Sequence, residues 1–172
     1  SNINLGNHII TTKVEHKAVL EVCMYLENIG FDITYLDVDE NGLINLDKLK
    51  NSIKTETILV SLLWVNNETG IIQDLKAISS IVKQSNAKLF IDATQAVGKM
   101  DVDLNKIHID MLCFSGHKFH GPKGIGVLYI KDGIKLSPLI IGGGQEKGLR
   151  SGTINVPGII GLSKACELIK LN

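Results

Sequence analysis

Ser115-Gly116-His117-Lys118 is the cluster in this chain best suited to covalent chemistry. A lysine placed where an apolar run stops, beside a glycine and two hydrogen-bonding side chains, is the presentation a Schiff-base lysine needs. Ser115 and His117 would then be placed to hold a phosphate. Taken alone, Lys118 reads as a solvated surface lysine after a strand. Asp92-Ala93-Thr94-Gln95 begins where the apolar run Leu89-Phe90-Ile91 ends. A carboxylate so placed can pair with a protonated pyridine nitrogen, and it can also be no more than a helix N-cap. A third polar loop, Asn66-Asn67-Glu68-Thr69-Gly70, directly follows the β-rich run from Thr57 to Val65.

The elements that must position these clusters alternate between helical and strand patterns from end to end, which predicts an α/β fold with a mostly parallel sheet flanked by helices. Val19, Leu20, Val22, Cys23 and Leu26 fall at helical spacing within 15–28, and Gly30 stands where a C-cap belongs. Strands are predicted over 31–38, 57–65, 88–91, 109–114 and 125–130, with further helices over 46–53, 74–84 and from about Pro157. Ligands of open α/β sheets sit beyond the carboxyl ends of the strands, and the three polar clusters lie at such ends.

With 172 residues, 44% of them apolar, and no formal net charge, a single soluble domain is expected. No basic block or amphipathic basic stretch suggests nucleic acid or a membrane surface as partner, and no apolar run reaches transmembrane length. Cys23, Cys113 and Cys166 are odd in number and sit among apolar neighbours, so they read as buried, reduced, structural thiols in a cytosol-like compartment. His108 and His120 have no metal-ligand spacing with the cysteines, and no metal site is expected.

Six motifs in fixed order carry a more specific signal: Glu15-His16-Lys17-Ala18-Val19, Val65-Asn66-Asn67-Glu68, Asp92-Ala93-Thr94-Gln95, Ser115-Gly116-His117-Lys118, Gly142-Gly143-Gly144-Gln145-Glu146 and Arg150-Ser151-Gly152-Thr153. Together they resemble the cysteine desulfurases, class V aminotransferases of the fold-type-I pyridoxal-phosphate group. The glycine-rich stretch from Gly142 to Thr153 is similar to the branch serving iron–sulfur cluster assembly. The resemblance implies Lys118 as the Schiff-base lysine and proton-moving base, and Asp92 as partner of the pyridine nitrogen. It implies His16 stacked on the ring and sharing in proton transfer, with Gln95 and Asn67 around the phenolate oxygen and substrate. Ser115 and His117 would bind the phosphate, joined by Thr153 from the neighbouring subunit of a homodimer. Arg150, the only arginine, is a weaker anion-binding candidate, and Lys147 stands where close relatives are expected to carry arginine.

The same resemblance implies conversion of L-cysteine to L-alanine, with sulfane sulfur passed as an enzyme persulfide to an acceptor or iron–sulfur scaffold protein. A cytoplasmic setting, or the mitochondrial matrix in a eukaryote, would go with it. It further implies an N-terminal segment with a phosphate-binding threonine loop, and a C-terminal small domain bearing the nucleophilic cysteine and a carboxylate-binding arginine. Neither is recognisable within residues 1–172, which are therefore expected to be an incomplete large cofactor-binding domain, inactive by itself. Another class V aminotransferase or lyase, or a non-catalytic dimerisation or scaffold-binding segment, are the alternatives.

Overall fold

The structure is a computed structural model that describes residues 5–169. Six strands form one sheet: β1 (His8–Thr12), β2 (Asp32–Leu36), β3 (Thr57–Leu63), β4 (Lys88–Asp92), β5 (Met111–Ser115) and β6 (Gly126–Ile130). Their order is β2-β1-β3-β4-β5-β6, and every neighbouring pair is parallel except β5 with β6. The α/β, mostly parallel sheet expected from the sequence is what forms. The strand predicted over 88–91 is one residue longer, ending at Asp92, the other predicted strands are one to three residues shorter than expected, and β1 was not predicted.

Strand β1 is buried at all five positions, as a central strand covered on both faces must be. Its polar residues are satisfied sideways, the His8 ring reaching Thr57 Oγ1 at 2.7 Å through Nδ1 and Thr34 Oγ1 at 2.8 Å through Nε2. Burial lowers the His8 pKa, with the Lys54 charge adding to the effect.

Helix α1 (Lys17–Asn28) joins β1 to β2, α2 (Leu46–Ser52) joins β2 to β3, and α3 (Leu75–Val82) joins β3 to β4. Side-chain caps start them: Asn45 accepts from the Lys48 amide and Asp74 from the Ala77 amide. Leu49 of α2 and Leu75, Ile78 and Val82 of α3 close one face of the sheet over Val60, Leu62, Leu89 and Ile91. The connection leaving β1 runs one way along the sheet and that leaving β3 runs the other, so the β1/β3 boundary is a topological switch point.

Helix α4 (Val156–Ile169) contributes Leu162 and Ala165 to a smaller apolar cluster with Phe119. Among the described residues no helix is long and apolar enough to cross a membrane.

Candidate active site

His16 and Asn67 flank the switch point, His16 after β1 and Asn67 after β3, while Asp92 ends β4 and Ser115 ends β5. Register fixes their level. Leu63 pairs with Asp92 across β3 and β4, Asp92 pairs with Cys113 across β4 and β5, and Ser115 lies two residues farther along. The carboxyl edge of the sheet therefore carries nearly every residue singled out from the sequence.

Lys118 is held by a short 3₁₀ turn, Gly116–Phe119, that leaves β5. The Gly121 amide returns to the Gly116 carbonyl at 2.9 Å, closing a tight loop around His117 and Lys118. A Cβ on Gly121 would come within 2.7 Å of that carbonyl oxygen, so glycine is what lets the loop close. His120 completes the turn in the left-handed region at φ 68°. Phe119 anchors it below, packing on α4 and tilting 54° against Phe114 at 5.7 Å between ring centres. Lys118 and His117 are exposed and Phe119 is buried, so the loop presents its polar side chains outward on an apolar footing.

Asp92 is half-buried, and its Oδ1 accepts from the Thr94 amide at 2.9 Å, the start of a turn rather than of a regular helix. The Cys113 thiol lies against the same carboxylate. Burial first, and then the Asp92 charge, push that thiol up to about 12. Among the described residues Asp92 makes no salt bridge, and neither does Lys118.

His16 caps α1, its Nδ1 accepting from the Ala18 amide at 3.2 Å, which leaves the ring proton on Nε2 when the imidazole is neutral. Gln95 is half-buried, and its Oε1 is taken by the Lys99 ammonium. Asn67 is exposed at the tip of a loop organised by its neighbour: Asn66 donates to the Val14 carbonyl and accepts from the Glu68 and Thr69 amides. Asn66 thus ties the loop after β3 to the one after β1, a positioning task that sequence reading did not assign.

Thr153 is not at a strand end. It lies on the exposed loop before α4, in the stretch where Ser151 is buried and Gly152 donates to Gln145 Oε1 at 3.0 Å. Arg150 turns back on this loop, donating to the Gly152 carbonyl at 3.3 Å. Glu146 and Lys147 both hold positive φ there, at 49° and 56°.

Of the three cysteines, Cys23 is buried in α1, whereas Cys113 and Cys166 are only half-buried, a correction to the expectation of full burial. Cys113 stands where the apolar floor of β5 gives way to the polar edge, and Cys166 lies on the rim of the small α4 cluster. Among the described residues no cluster of histidine, cysteine and carboxylate side chains could hold a metal ion.

Sequence reading also passed over Glu15, buried at this edge and joined to both β1 and β3. A carboxylate next to His16 in a run that must enter the sheet edge was the available signal.

Comparison with known proteins agrees with this geometry. The aminotransferase class V family matches residues 1–172. A cysteine desulfurase IscS of Clostridium botulinum is 51% identical over all 172 residues, and one of Buchnera aphidicola is 53% identical over 169 residues, 97% of the chain. The chain spans 43% and 42% of the lengths of these relatives. Among solved structures, a NifS-like protein superposes with a TM-score of 0.94 at 47% identity, covering 96% of this chain and 46% of that one. The structure of SspA in complex with cysteine follows at 0.93 and 44% identity, covering 96% and 48%.

Proposed function

The chain belongs to the class V aminotransferase family, and on that footing we propose that residues 1–172 are the large cofactor-binding domain of a pyridoxal-phosphate-dependent cysteine desulfurase. The observation that carries this reading is a half-buried carboxylate, Asp92, and an exposed lysine, Lys118, at neighbouring strand ends, each without an ionic partner among the described residues. A carboxylate left beside a switch point without a cation suits a protonated ring nitrogen, and a free primary amine suits an aldehyde. The residues present therefore fit pyridoxal phosphate, which when bound supplies an aldehyde for amino groups and a protonated ring that draws electrons from the substrate carbon.

Lys118 Nζ would hold the cofactor between turnovers and move the proton at the substrate Cα. Asp92 would keep the ring nitrogen protonated. His16 would lay its imidazole on the ring, with Nδ1 committed to Ala18 and Nε2 left to exchange a proton. Gln95 would donate through Nε2 toward the phenolate oxygen, its Oε1 being held by Lys99, and Asn67 would assist. Ser115 and His117, which have no side-chain partner of their own among the described residues, would take the phosphate with Thr153 of a second copy in a homodimer.

In the reaction, L-cysteine and an enzyme thiol become L-alanine and an enzyme persulfide. The outer sulfur then passes to an acceptor or iron–sulfur scaffold protein in a reducing, cytoplasmic compartment. The thiol is assigned to none of this chain's cysteines. Burial raises the pKa of Cys23 and of Cys113, and Cys166 is turned to the rim of the small apolar cluster under α4.

The test is an absorbance titration of the full-length protein with pyridoxal phosphate, then borohydride reduction and peptide mapping. Product analysis after L-cysteine and a reductant completes it. Label on Lys118 with alanine and sulfide formed in equal amounts is expected. Label scattered over other lysines would overturn the assignment of Lys118, and alanine-free turnover would point to another class V reaction.

A further inference from the structure

Glu15 bridges the two strands on either side of the switch point. Its Oε1 accepts from the Thr12 hydroxyl at the end of β1 at 2.7 Å, and from the Leu63 amide at the end of β3 at 3.0 Å. The residue is 6% exposed, and Oε2 is buried with no hydrogen-bond partner. An ionised carboxylate is costly to bury unless all its lone pairs are met, so a half-satisfied one favours its protonated form. Leu63, whose amide Glu15 holds, stands level with Asp92 in the adjoining strand. The inner carboxyl and the one assigned to the ring nitrogen are thus separated by a single strand step.

We propose that Glu15 is a second, inner carboxyl of the ring-nitrogen site, a positioning residue that releases its proton when a cation seats against Asp92. The inference rests on the reading that Asp92 faces the cofactor nitrogen. With Asp92 charged and unpaired, the Oε2 proton of Glu15 keeps two like charges from facing each other. When the ring nitrogen neutralises Asp92, the O–H bond of Glu15 breaks and the proton goes to solvent. The electron pair stays on a carboxylate whose Oε1 donors are already in place. The strand ends that frame the site are then drawn together by stronger, charge-assisted bonds from Thr12 and Leu63.

The groups facing Glu15 from the surrounding elements support this. Among the described residues Asp92 from β4 and Cys23 from α1 are the titratable ones, while β1 and β3 offer the Thr12 hydroxyl and the Leu63 amide. His16, next in the chain, has Nδ1 turned to the Ala18 amide. Burial, the largest cause, lifts the Glu15 carboxyl to about 7, and the charge of Asp92 adds to it against the two donors.

Isotope-edited infrared spectroscopy of the full-length protein, carrying carboxyl-labelled glutamate, reads this proton directly. The Glu15 band is the one lost in Glu15→Gln, or in Glu15→Asp if that variant folds better. In the cofactor-free protein the protonated band should titrate near pH 7. Saturating pyridoxal phosphate should lower its proton affinity about twofold to tenfold, the scale of one charge neutralised nearby in a partly shielded site. Asp92→Asn should lower it in the cofactor-free protein. If the cofactor binds through Lys118 and the Glu15 midpoint does not move, the inference fails while the functional reading stands. If no cofactor binds, both are overturned.

Discussion

Asp92 at the carboxyl end of β4 and Cys113 in the middle of β5 are cross-strand partners, paired in register with the thiol against the carboxylate. The arrangement supplies Asp92 with a weak S–H donor where a lysine or arginine would neutralise it. A carboxylate held in this way keeps its charge available to a ligand. It also makes Cys113 a poor nucleophile in spite of its place beside the proposed site, because only the thiolate attacks.

Thiol reactivity follows from burial and, after it, from that pairing. With its thiol pushed to about 12, Cys113 should be alkylated at pH 8 on the order of a thousandfold more slowly than an ordinary exposed cysteine, the ratio of their thiolate fractions. Timed iodoacetamide labelling with peptide mass spectrometry measures it. Rapid, selective labelling of Cys113 would show that the thiol is neither buried nor held against Asp92. Cys113→Ser should preserve the donor and leave cofactor absorbance intact.

The loop that presents Lys118 depends on Gly121 in a way that can be separated from chemistry. A methyl group at 121 meets the Gly116 carbonyl oxygen at 2.7 Å, a backbone atom that cannot swing aside as a side chain could. Gly121→Ala is expected to cost roughly 1–3 kcal/mol, in the range of other overpacking changes. It should also weaken cofactor binding more than its stability loss would explain, because Lys118 rides on the distorted loop. Thermal denaturation alongside a cofactor titration of the full-length protein compares the two effects. Unchanged melting would mean that the loop closes without the close approach.

The sheet edge was legible because its residues follow clear apolar runs: Ile91 before Asp92, and Phe114 before Ser115. Strand ends are where α/β sheets put ligands, so chain order was enough to nominate Asp92, Ser115 and Lys118. Strand β1 was not legible, since His8, Thr11 and Thr12 break its apolar pattern; β2 and β3 satisfy the His8 and Thr11 side chains, and the buried Glu15 that of Thr12. Glu15 and Asn66 escaped for a related reason. Each acts on a backbone group that is near in space but lies about fifty residues away in the chain, Glu15 on β3 and Asn66 on the loop after β1, and spacing along the sequence holds no sign of that. Thr153, named through the family resemblance alone, lies outside the edge on the exposed loop before α4.

Stability should carry the mark of Glu15 as pH changes. Its carboxyl holds a proton up to about 7 in the folded chain, against the ordinary 4.5 that the unfolded chain recovers. Between these values the native state binds more protons than the unfolded state, so this contribution to stability falls as pH rises, and it is flat above and below. His8, with its pKa lowered by burial, works in the opposite sense over an overlapping range, since its unfolded form takes up the proton first. Asp32, Asp37 and Asp103 have lowered pKa values and act only under more acidic conditions. The Glu15 share therefore has to be read as a difference between wild type and Glu15→Gln, in which His8 cancels. Glutamine keeps the Oε1 acceptor for Thr12 and Leu63 and stays neutral, so it resembles the protonated wild type. Urea denaturation at pH 5 and at pH 7.5 should find Glu15→Gln gaining on wild type by on the order of 2–3 kcal/mol across that interval. A constant difference between the two proteins would mean that Glu15 ionises like an exposed glutamate, and that its buried, unpartnered oxygen is reached by water.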